Sequence, residues 1–412
     1  MKRKSIAAAF ALSISLLSGC SAGTSSGSSS GDEVIRLTVW GSQESQQYLK
    51  RMCDAFAQEN SDKRYEFRYG VVSEADAKAE LLKDISAGAD VFTFASDQTA
   101  ELVDAGALYR VTLNKDEIVR RNTEASVEAA TVGGELYGYP CVSDTYFMYY
   151  DNSKLTEDEI GSLETILAKD IPGTPINFAF DIDNGWYQCS FFFGAGCTLF
   201  GENGTDPTQC SFNNERGFLA GEYMLGLVNN PKFAANYDDA LVKAGFTDGT
   251  IAAAVSGTWN ANEIRDALGE NFAAAKLPEF TLPNGETVQM GSMANFKLVG
   301  VNTETKQPLE AMALADWLTN YDNQLIQFNE RSLAPTNITL ANDEQALSLN
   351  AAVYALAQQS KYATVQASIP QISNYWTPAE AFGQDMTAGK ITIDNLQSKL
   401  DKLVSSTLSS LG

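Results

Sequence analysis

The 412-residue sequence contains no histidine, and this absence excludes more chemistry than any motif in the chain includes. Ser-His-Asp and Cys-His catalytic centres, HExxH metalloprotease sites and the common zinc sites all require an imidazole. Phosphate-binding glycine motifs are missing too: no GxxxxGK occurs, and Gly194-x-Gly196 has Leu199 where a dinucleotide fingerprint needs its third glycine. The stretch DIDNG at Asp181 lacks the remaining ligands of an EF-hand. The sequence therefore predicts neither a cofactor nor a metal.

Positive charge is also scarce. The chain has 29 Lys and Arg residues against 52 Asp and Glu, which gives a net charge of −23. Because nucleic-acid binding depends on clustered Lys and Arg that neutralise phosphates, we expect no nucleic-acid partner. Beyond the N-terminal segment no run of 18 apolar residues occurs, so nothing else predicts a membrane span.

The N-terminal segment has the composition of an export signal. A basic stretch at positions 2–4 precedes an apolar run at positions 6–17 that closes with small residues. The sequence LSGC that ends at Cys20 resembles the lipobox of bacterial lipoproteins, which implies cleavage before Cys20 and lipidation of its thiol. We therefore predict a signal peptide at 1–19, a Ser/Gly tether at 20–33, and attachment to the extracellular face of the cytoplasmic membrane.

Cysteine usage leaves the question of disulfides open. Five cysteines remain besides Cys20, and since five is an odd number, at least one thiol is unpaired or pairs with another chain. Cys189, Cys197 and Cys210 are close enough in sequence for one disulfide. Cys53 lies on an apolar helical stripe, where we expect a buried free thiol.

The globular part opens with a β-α-β-α-β pattern. Strand-like segments end at Trp40, Val71 and Ala95, and helical segments separate them. This order predicts an α/β fold with a parallel sheet covered by helices, in which ligands bind beyond the carboxyl ends of the strands. The loops at 40–44 and 94–98 are therefore candidate site loops, and a mature chain of roughly 390 residues suggests two domains.

Two adjacent aromatic residues, Tyr375 and Trp376, stand immediately before a predicted helix. Thr377-x-x-Glu380 matches a capping box, so we expect the helix to begin at Thr377 and the aromatics to end a loop. One hypothesis is a hydrophobic staple in which Trp376 packs on Ala381. The other is a platform for a ligand.

Four segments together resemble the extracellular solute-binding proteins of bacterial ABC importers, in the maltose and maltodextrin-binding branch. They are ADVFTFASDQTAELVDAGAL (89–108), ELYGYPCVSDTYFMYYDNSKL (135–155), DGTIAAAVSGTWNANEIR (248–265) and IPQISNYW (369–376). The resemblance implies a type II periplasmic-binding-protein fold, in which two α/β lobes joined by hinge crossovers enclose the ligand.

Carried onto this chain, the resemblance divides it into two lobes. Lobe 1 would be residues 34–142 plus 296–345, and lobe 2 would be residues 143–295 plus 346–412. Ligand contacts on both lobes would stabilise the closed state. The implied partners are an oligosaccharide, the transmembrane subunits of an ABC permease, and the membrane through the lipid anchor; we expect a monomer.

The resemblance also implies the aromatic residues of the binding site. In maltodextrin-binding relatives the positions that match Trp376 and Trp259 present aromatic faces on which glucose rings stack, and Trp186 or Tyr187 falls where a third is expected. A pyranose has an apolar C–H face and polar hydroxyl edges. A tryptophan or tyrosine ring covers the first, while carboxylates and amides hydrogen-bond the second.

Polar site residues follow from the same matches. Asp97 and Asp144 match acidic residues of the family that suit sugar hydroxyl donors. The loop after Trp40 carries Gln43 and Glu44 where relatives place polar sugar contacts. Two further candidates depart from the best-known relative, which has arginines at the corresponding positions: Gln98 and Glu380.

Two classes of function fit these residues. The first, which we favour, is a non-enzymatic binding protein that captures an oligosaccharide and delivers it to a permease, with α-1,4-glucans leading and another oligosaccharide as the alternative. The second is a lipid-anchored glycoside hydrolase that uses a carboxylate pair such as Asp97 and Asp144, which would need carboxyls about 5 to 9.5 Å apart. The family resemblance is to binders, and no catalytic signature stands out.

Overall fold

The computed structural model describes residues 34–409. The predicted signal peptide at 1–19, the lipidation at Cys20 and the tether at 20–33 lie outside the described residues. Among the described helices, none has the length and apolar character that a membrane crossing needs.

Strands and helices alternate along the described chain. The strands are β1 (Val34–Gly41), β2 (Arg64–Val71), β3 (Val91–Ala95), β4 (Thr131–Val132), β5 (Glu135–Leu136), β6 (Tyr139–Asp144), β7 (Tyr146–Asp151), β8 (Ile176–Ala179), β9 (Phe233–Ala234), β10 (Ile251–Gly257), β11 (Phe272–Ala275), β12 (Glu279–Thr281), β13 (Thr287–Gln289), β14 (Ser292–Val301), β15 (Ala334–Pro335) and β16 (Ala363–Val365). The α-helices are α1 (Gln46–Glu59), α2 (Ala77–Leu81), α3 (Thr99–Asp104), α4 (Lys115–Arg121), α5 (Glu124–Ala129), α6 (Leu163–Ala168), α7 (Gly185–Gly194), α8 (Glu215–Val228), α9 (Asp239–Thr247), α10 (Ala261–Leu268), α11 (Pro308–Leu318), α12 (Tyr321–Arg331), α13 (Ile338–Ala341), α14 (Glu344–Ser348), α15 (Ala351–Gln359), α16 (Ser373–Thr387) and α17 (Leu396–Thr407).

The first sheet contains the opening of the chain. Its strand order is β15-β6-β14-β3-β1-β2, with β16 paired to β14. Strand β1 pairs in parallel with both β2 and β3, which confirms the predicted β-α-β-α-β opening. The second helical segment of this opening is short: α2 covers only 77–81, and the Asp84 side chain then accepts a hydrogen bond from the Ser86 backbone N–H and starts a separate 3₁₀ turn.

The second sheet has the order β11-β7-β10-β8-β9 and is buried on both faces. Side chains of successive residues in a strand point to opposite faces, and β7 shows this directly. Tyr146, Met148 and Tyr150 belong to the apolar core on one face, while Phe147 and Tyr149 belong to the core on the other.

A third core surrounds the first sheet and contains Cys53, whose side chain is 0% exposed, as the helical stripe predicts. The five cysteines of the described residues are all free thiols, so the possible disulfide among Cys189, Cys197 and Cys210 is not formed. Burial raises the pKa of Cys189 to about 12, because an apolar environment disfavours the thiolate.

The two sheets are joined where strands pass from one to the other. Strand β6 of the first sheet continues through Thr145 into β7 of the second, and β14 starts at Ser292 beside this point. The Thr145 hydroxyl oxygen lies 2.9 Å from the Ser292 hydroxyl oxygen and 3.0 Å from the Met293 carbonyl oxygen. These contacts hold the two connections against each other; the predicted lobe boundaries remain a prediction.

Candidate functional site

Trp259 lies just beyond the end of β10, in a single 3₁₀ turn over 258–260. The ring folds back over Gly257, where an added Cβ would come within 1.7 Å of it, so only glycine permits this arrangement. Its indole Nε1 donates to Asp239 Oδ2 at 2.8 Å, and Lys297 Nζ lies 5.5 Å from the ring centroid. The tryptophan is therefore fixed by a hydrogen bond and a cation–π contact.

A cavity of about 260 Å³ opens beside Trp259. Its walls come from the segment after β1, from α10, and from the end of α12, so residues next to both sheets contribute. The Arg331 guanidinium lies 5.4 Å from the Tyr48 ring centroid, and Arg51 forms an ion pair with Glu330 at the rim. The lining is mostly charged and polar: Glu44, Gln47, Tyr48, Arg51, Trp259, Asn262, Glu263, Glu330, Arg331 and Leu333.

Lys297 and Asp144 form a buried ion pair at the base of this region. Lys297 Nζ is 3.4 Å from Asp144 Oδ2, while Asp144 Oδ1 is buried and has no hydrogen-bond partner among the described residues. Asp144 is only 6% exposed. Burial raises the pKa of Asp144 to about 6, against the lowering effect of Lys297. For Lys297, burial works to lower the pKa, but Asp144 and Glu74 together hold it above its usual value.

Trp186 and Tyr187, which the sequence could not separate, occupy different environments. Trp186 is half-buried at the start of α7, with its ring centroid 5.7 Å from that of Trp259. Tyr187 is 6% exposed and packs behind it against Tyr146 at 4.8 Å and Phe180 at 6.1 Å between ring centroids. Trp186 is therefore the member of the pair that faces Trp259, and Tyr187 supports it from the core.

Trp376 lies inside a helix and not in the loop before one. Helix α16 begins at Ser373, four residues before the predicted start at Thr377. The prediction of a capping box at Thr377 is therefore wrong. The reason is a 3₁₀ turn at 370–372 that leads directly into the helix and leaves Pro378 in its interior. Ala381, the expected staple partner, is exposed, so the staple hypothesis is also wrong.

The tyrosine beside Trp376 anchors this part of the helix. Tyr375 is fully buried, and its hydroxyl donates to the Gly185 carbonyl at 2.8 Å. The Trp376 ring stays half-buried and meets the Tyr375 ring edge-on at 5.2 Å. The aromatic pair is thus divided between an anchor and an accessible ring.

A second cavity, of about 320 Å³, lies beside Trp376. Burial, together with the neighbouring Asp183 carboxyl, raises the pKa of Asp181 to about 7. Glu380 is exposed and accepts a hydrogen bond from the Gln384 amide at 2.9 Å. The lining includes three carboxyl groups and no cation: Asp181, Asp183, Asn184, Gly185, Trp376 and Glu380.

Asp97 and Gln98 follow β3 and have separate roles. Asp97 is partly exposed and accepts a hydrogen bond from Asn295 Nδ2 at 3.3 Å; burial raises its pKa. Gln98 is 4% exposed, its amide oxygen accepts from the Lys78 backbone N–H, and its amide nitrogen donates to the carbonyls of Glu74 and Ala75. With hydrogen bonds at both amide atoms, Gln98 positions the loop before α2, and its contact with ligand stays a prediction.

The remaining candidates lie in the turn after β1. Gln43 and Glu44 are both exposed, but only Glu44 lines the cavity beside Trp259. The structure thus brings Glu44 and Trp259 together at one cavity, with Trp186 and Lys297 each in contact with the Trp259 ring. Trp376 and Glu380 meet at the other cavity.

Sequence reasoning missed the cations of the first cavity, above all Lys297 and Arg331. One signal for Lys297 was present: it is the single charged residue in the ten-residue strand SMANFKLVGV. A lone lysine in such a strand indicates either a solvated face or a buried partner, and Asp144 is that partner.

Comparisons with known proteins identify the family of this chain. The family described as bacterial extracellular solute-binding protein matches residues 51–355. A galactooligosaccharide-binding protein of Bacillus subtilis (strain 168) is 30% identical over 404 residues, covering 92% of this chain and 91% of the relative. A maltodextrin-binding protein of the same strain is 27% identical over 411 residues, covering 93% and 92%.

A solved structure determined with acarbose is similar to this chain throughout. It superposes with a TM-score of 0.84 at 35% identity, covering 91% of this chain and 98% of the other. The predicted fold class, an α/β two-lobe periplasmic-binding-protein fold, is confirmed by these structural relatives.

Proposed function

Because this chain belongs to the family of bacterial extracellular solute-binding proteins, we propose that it captures an oligosaccharide for an ABC importer. The proposal places the ligand against Trp259 and Trp186 and extends it toward Trp376. Binding, closure and release complete the cycle without a chemical step. The protein is then a carrier of substrate and not an enzyme.

One observation carries the choice of a sugar. Trp186 and Trp259 are half-buried with ring centroids 5.7 Å apart, and Trp259 lines a cavity whose other walls include carboxylates, guanidinium groups and amides. The apolar face of a pyranose fits an indole ring, and its hydroxyls both donate to carboxylates and accept from arginine. A purely apolar ligand would leave these charged groups unpaired at a high cost.

Malto-oligosaccharides are the substrate that we propose first. The maltodextrin-binding relative supports them, whereas the galactooligosaccharide-binding relative supports the alternative at slightly higher identity. Both alternatives use the same cleft, so the transport role does not depend on which sugar binds.

The cellular setting completes the proposal. A lipid anchor at Cys20 would hold a monomer on the extracellular face of the cytoplasmic membrane, beside the transmembrane subunits of its permease. Relatives from Streptococcus pneumoniae described as solute-binding lipoproteins support this arrangement. A hydrolase built on Asp97 and Asp144 has less support, because Asn295 and Lys297 already engage these two carboxyls.

Isothermal titration of the chain from residue 34 onward tests the proposal. The titrants are maltose, maltotriose, maltopentaose and a galactooligosaccharide, and the cell contents are then analysed for cleavage. We expect a dissociation constant near micromolar, about −8 kcal/mol, with every titrant recovered intact. Binding of the galactooligosaccharide alone would replace malto-oligosaccharides as the proposed substrate and leave the proposed transport role unchanged. Cleavage would favour the hydrolase, and no binding across the panel would refute the proposal.

A further inference from the structure

Resting on the proposed function, we propose that the buried pair Asp144 and Lys297 makes ligand capture proton-linked. A hydroxyl of the bound oligosaccharide donates a hydrogen bond to Asp144 Oδ1, with Lys297 as the counter-ion of the carboxylate. Affinity therefore falls when Asp144 takes up a proton.

The first step is the unmet bonding capacity of the pair. An ionised carboxylate accepts hydrogen bonds at both oxygens, yet Asp144 Oδ1 is buried without a partner among the described residues. The Lys297 ammonium has three N–H donors, and the contact with Asp144 Oδ2 at 3.4 Å is its single ion pair in the described part of the chain. An acceptor without a partner thus lies beside an ammonium with spare donors, both largely shielded from solvent, and a sugar hydroxyl has the groups that pair with either of them.

The second step is the position of the pair. Asp144 ends β6 at the connection to the second sheet, and Lys297 lies on the neighbouring strand β14. The Lys297 ammonium also lines a small cavity of about 40 Å³ together with Trp259, Glu44 and Glu74. A group bound beside Trp259 is therefore close to the ammonium that Asp144 neutralises.

The third step is the charge that surrounds the pair. Glu74 from the loop before α2 and Asp239 from the start of α9 raise the pKa of Asp144, adding to burial. Around Lys297, Glu44 from the turn after β1 raises the pKa and Arg331 from the end of α12 lowers it. The acidic neighbours outnumber the basic one, so a proton is taken up by Asp144 more readily than by an exposed aspartate.

The sign of the linkage follows. In the free protein the pKa of Asp144 is about 6. A hydroxyl donor at Oδ1 favours the charged form, so the pKa falls when ligand binds, and binding near pH 6 releases protons. If the pKa of Asp144 falls by one unit on binding, affinity at a pH well above both pKa values is ten times the affinity at a pH well below both. For a fall of one unit we expect affinity at pH 7.5 to exceed affinity at pH 5 by about fivefold, because pH 5 lies within the titration of the complex.

The test measures dissociation constants for maltotriose, or for the galactooligosaccharide if that is the ligand, from pH 4.5 to pH 8.5. Titrations at pH 6 in two buffers of different ionisation enthalpy give the number of protons released. Release on binding and an affinity step near pH 6 support the proposal. Constant affinity with no proton release overturns it while the proposed function stands; no sugar binding at any pH refutes the proposed function itself.

Variants separate the titration of Asp144 from that of Asp181, whose pKa is raised to about 7 and so lies close to that of Asp144. Asp144→Asn is expected to remove the step near pH 6, whereas Asp181→Asn retains it, whatever its effect on affinity. Lys297→Met removes the counter-ion and is expected to move the step to higher pH, and Lys297→Arg restores it. A merely structural lysine would change affinity equally at every pH. If Asp144→Asn does not fold, proton release that persists in Asp181→Asn and shifts to higher pH in Lys297→Met decides the question.

Discussion

Trp259 and Trp376 are both half-buried tryptophans beside a cavity, yet their surroundings differ in charge and in rigidity. Trp259 is held by Asp239 and Lys297, and the cavity beside it has guanidinium groups on its walls. Trp376 contacts Tyr375 edge-on, and the cavity beside it has carboxyl groups and no cation. The Trp259 ring is held in place between groups of opposite charge, which can orient the hydroxyls of a ligand. The Trp376 ring lies among carboxyl groups and provides mainly an apolar surface for stacking. We therefore expect the Trp259 end to select the ligand and the Trp376 end to extend it.

Trp259→Ala is expected to have the largest effect on affinity. The substitution removes the stacking face together with the contacts that Trp259 makes to Asp239 and Lys297, so we expect a loss of about 3 kcal/mol, or about 100-fold in the dissociation constant. Titration with maltotriose measures it. Trp317→Phe, in the core of the first sheet, is the control and should bind normally. Affinity within twofold of the unsubstituted protein would remove Trp259 from the site.

Trp376→Ala is expected to cost less and to depend on ligand length. A platform at the far end of the cleft should contribute about 2 kcal/mol to binding of maltopentaose and less to binding of maltose. Titration of both sugars gives the difference. Tyr354→Ala, which removes an aromatic 46% exposed on α15, is the matched control. Equal losses for the two sugars would contradict the division of roles between the two ends.

Asp181→Asn tests the acidity of the Trp376 end through stability. The pKa of Asp181 is raised to about 7, so its contribution to stability is present at low pH and is lost as the pH rises through 7. Because Asp181 is partly exposed, solvent screening reduces its contribution. Replacing it should narrow the difference in unfolding free energy between pH 5 and pH 8 by about 1 kcal/mol in urea titrations. Asp206→Asn is the control. The Thr208 side chain and other hydrogen bonds lower the pKa of Asp206, so this carboxyl is ionised at both pH 5 and pH 8. Its replacement should therefore leave the difference in unfolding free energy between the two pH values unchanged.

Glu380→Gln is expected to have the smallest effect. Glu380 is exposed, and its partner in the described structure is Gln384 on the same helix, so we expect a change in binding below about 0.5 kcal/mol. Titration with maltopentaose at low salt measures it. A tenfold change would show that the carboxylate contacts ligand directly and that the Trp376 end also selects.

Much of the fold follows from the sequence, because hydrophobic periodicity reports which segments are buried. The strands predicted to end at Trp40, Val71 and Ala95 end within two residues of these positions. The start of α16 was not predicted correctly. Proline favours the first turn of a helix, so Pro378 indicated a start at Thr377, whereas the helix begins at Ser373. Burial of Tyr375 against Gly185 instead fixes the helix earlier in the chain, a tertiary contact that local pattern does not contain.

Site residues were less predictable, and Asp97 and Gln98 show why. They are neighbours in one turn, and both carry polar groups that suit a sugar. The fold uses both amide atoms of Gln98 to position the loop at 74–78, while Asp97 keeps a partly exposed carboxyl. Whether a polar side chain forms its hydrogen bonds within the protein depends on segments that are distant in sequence, and local sequence does not show this.

The contact between Thr145 and Ser292 has a kinetic consequence. Because one hydroxyl lies within hydrogen-bonding distance of Ser292 and of the Met293 carbonyl, one connection between the sheets cannot bend far without the other. We therefore expect any opening and closing of the proposed cleft to follow a single exponential, since two independently bending connections would produce two rate constants.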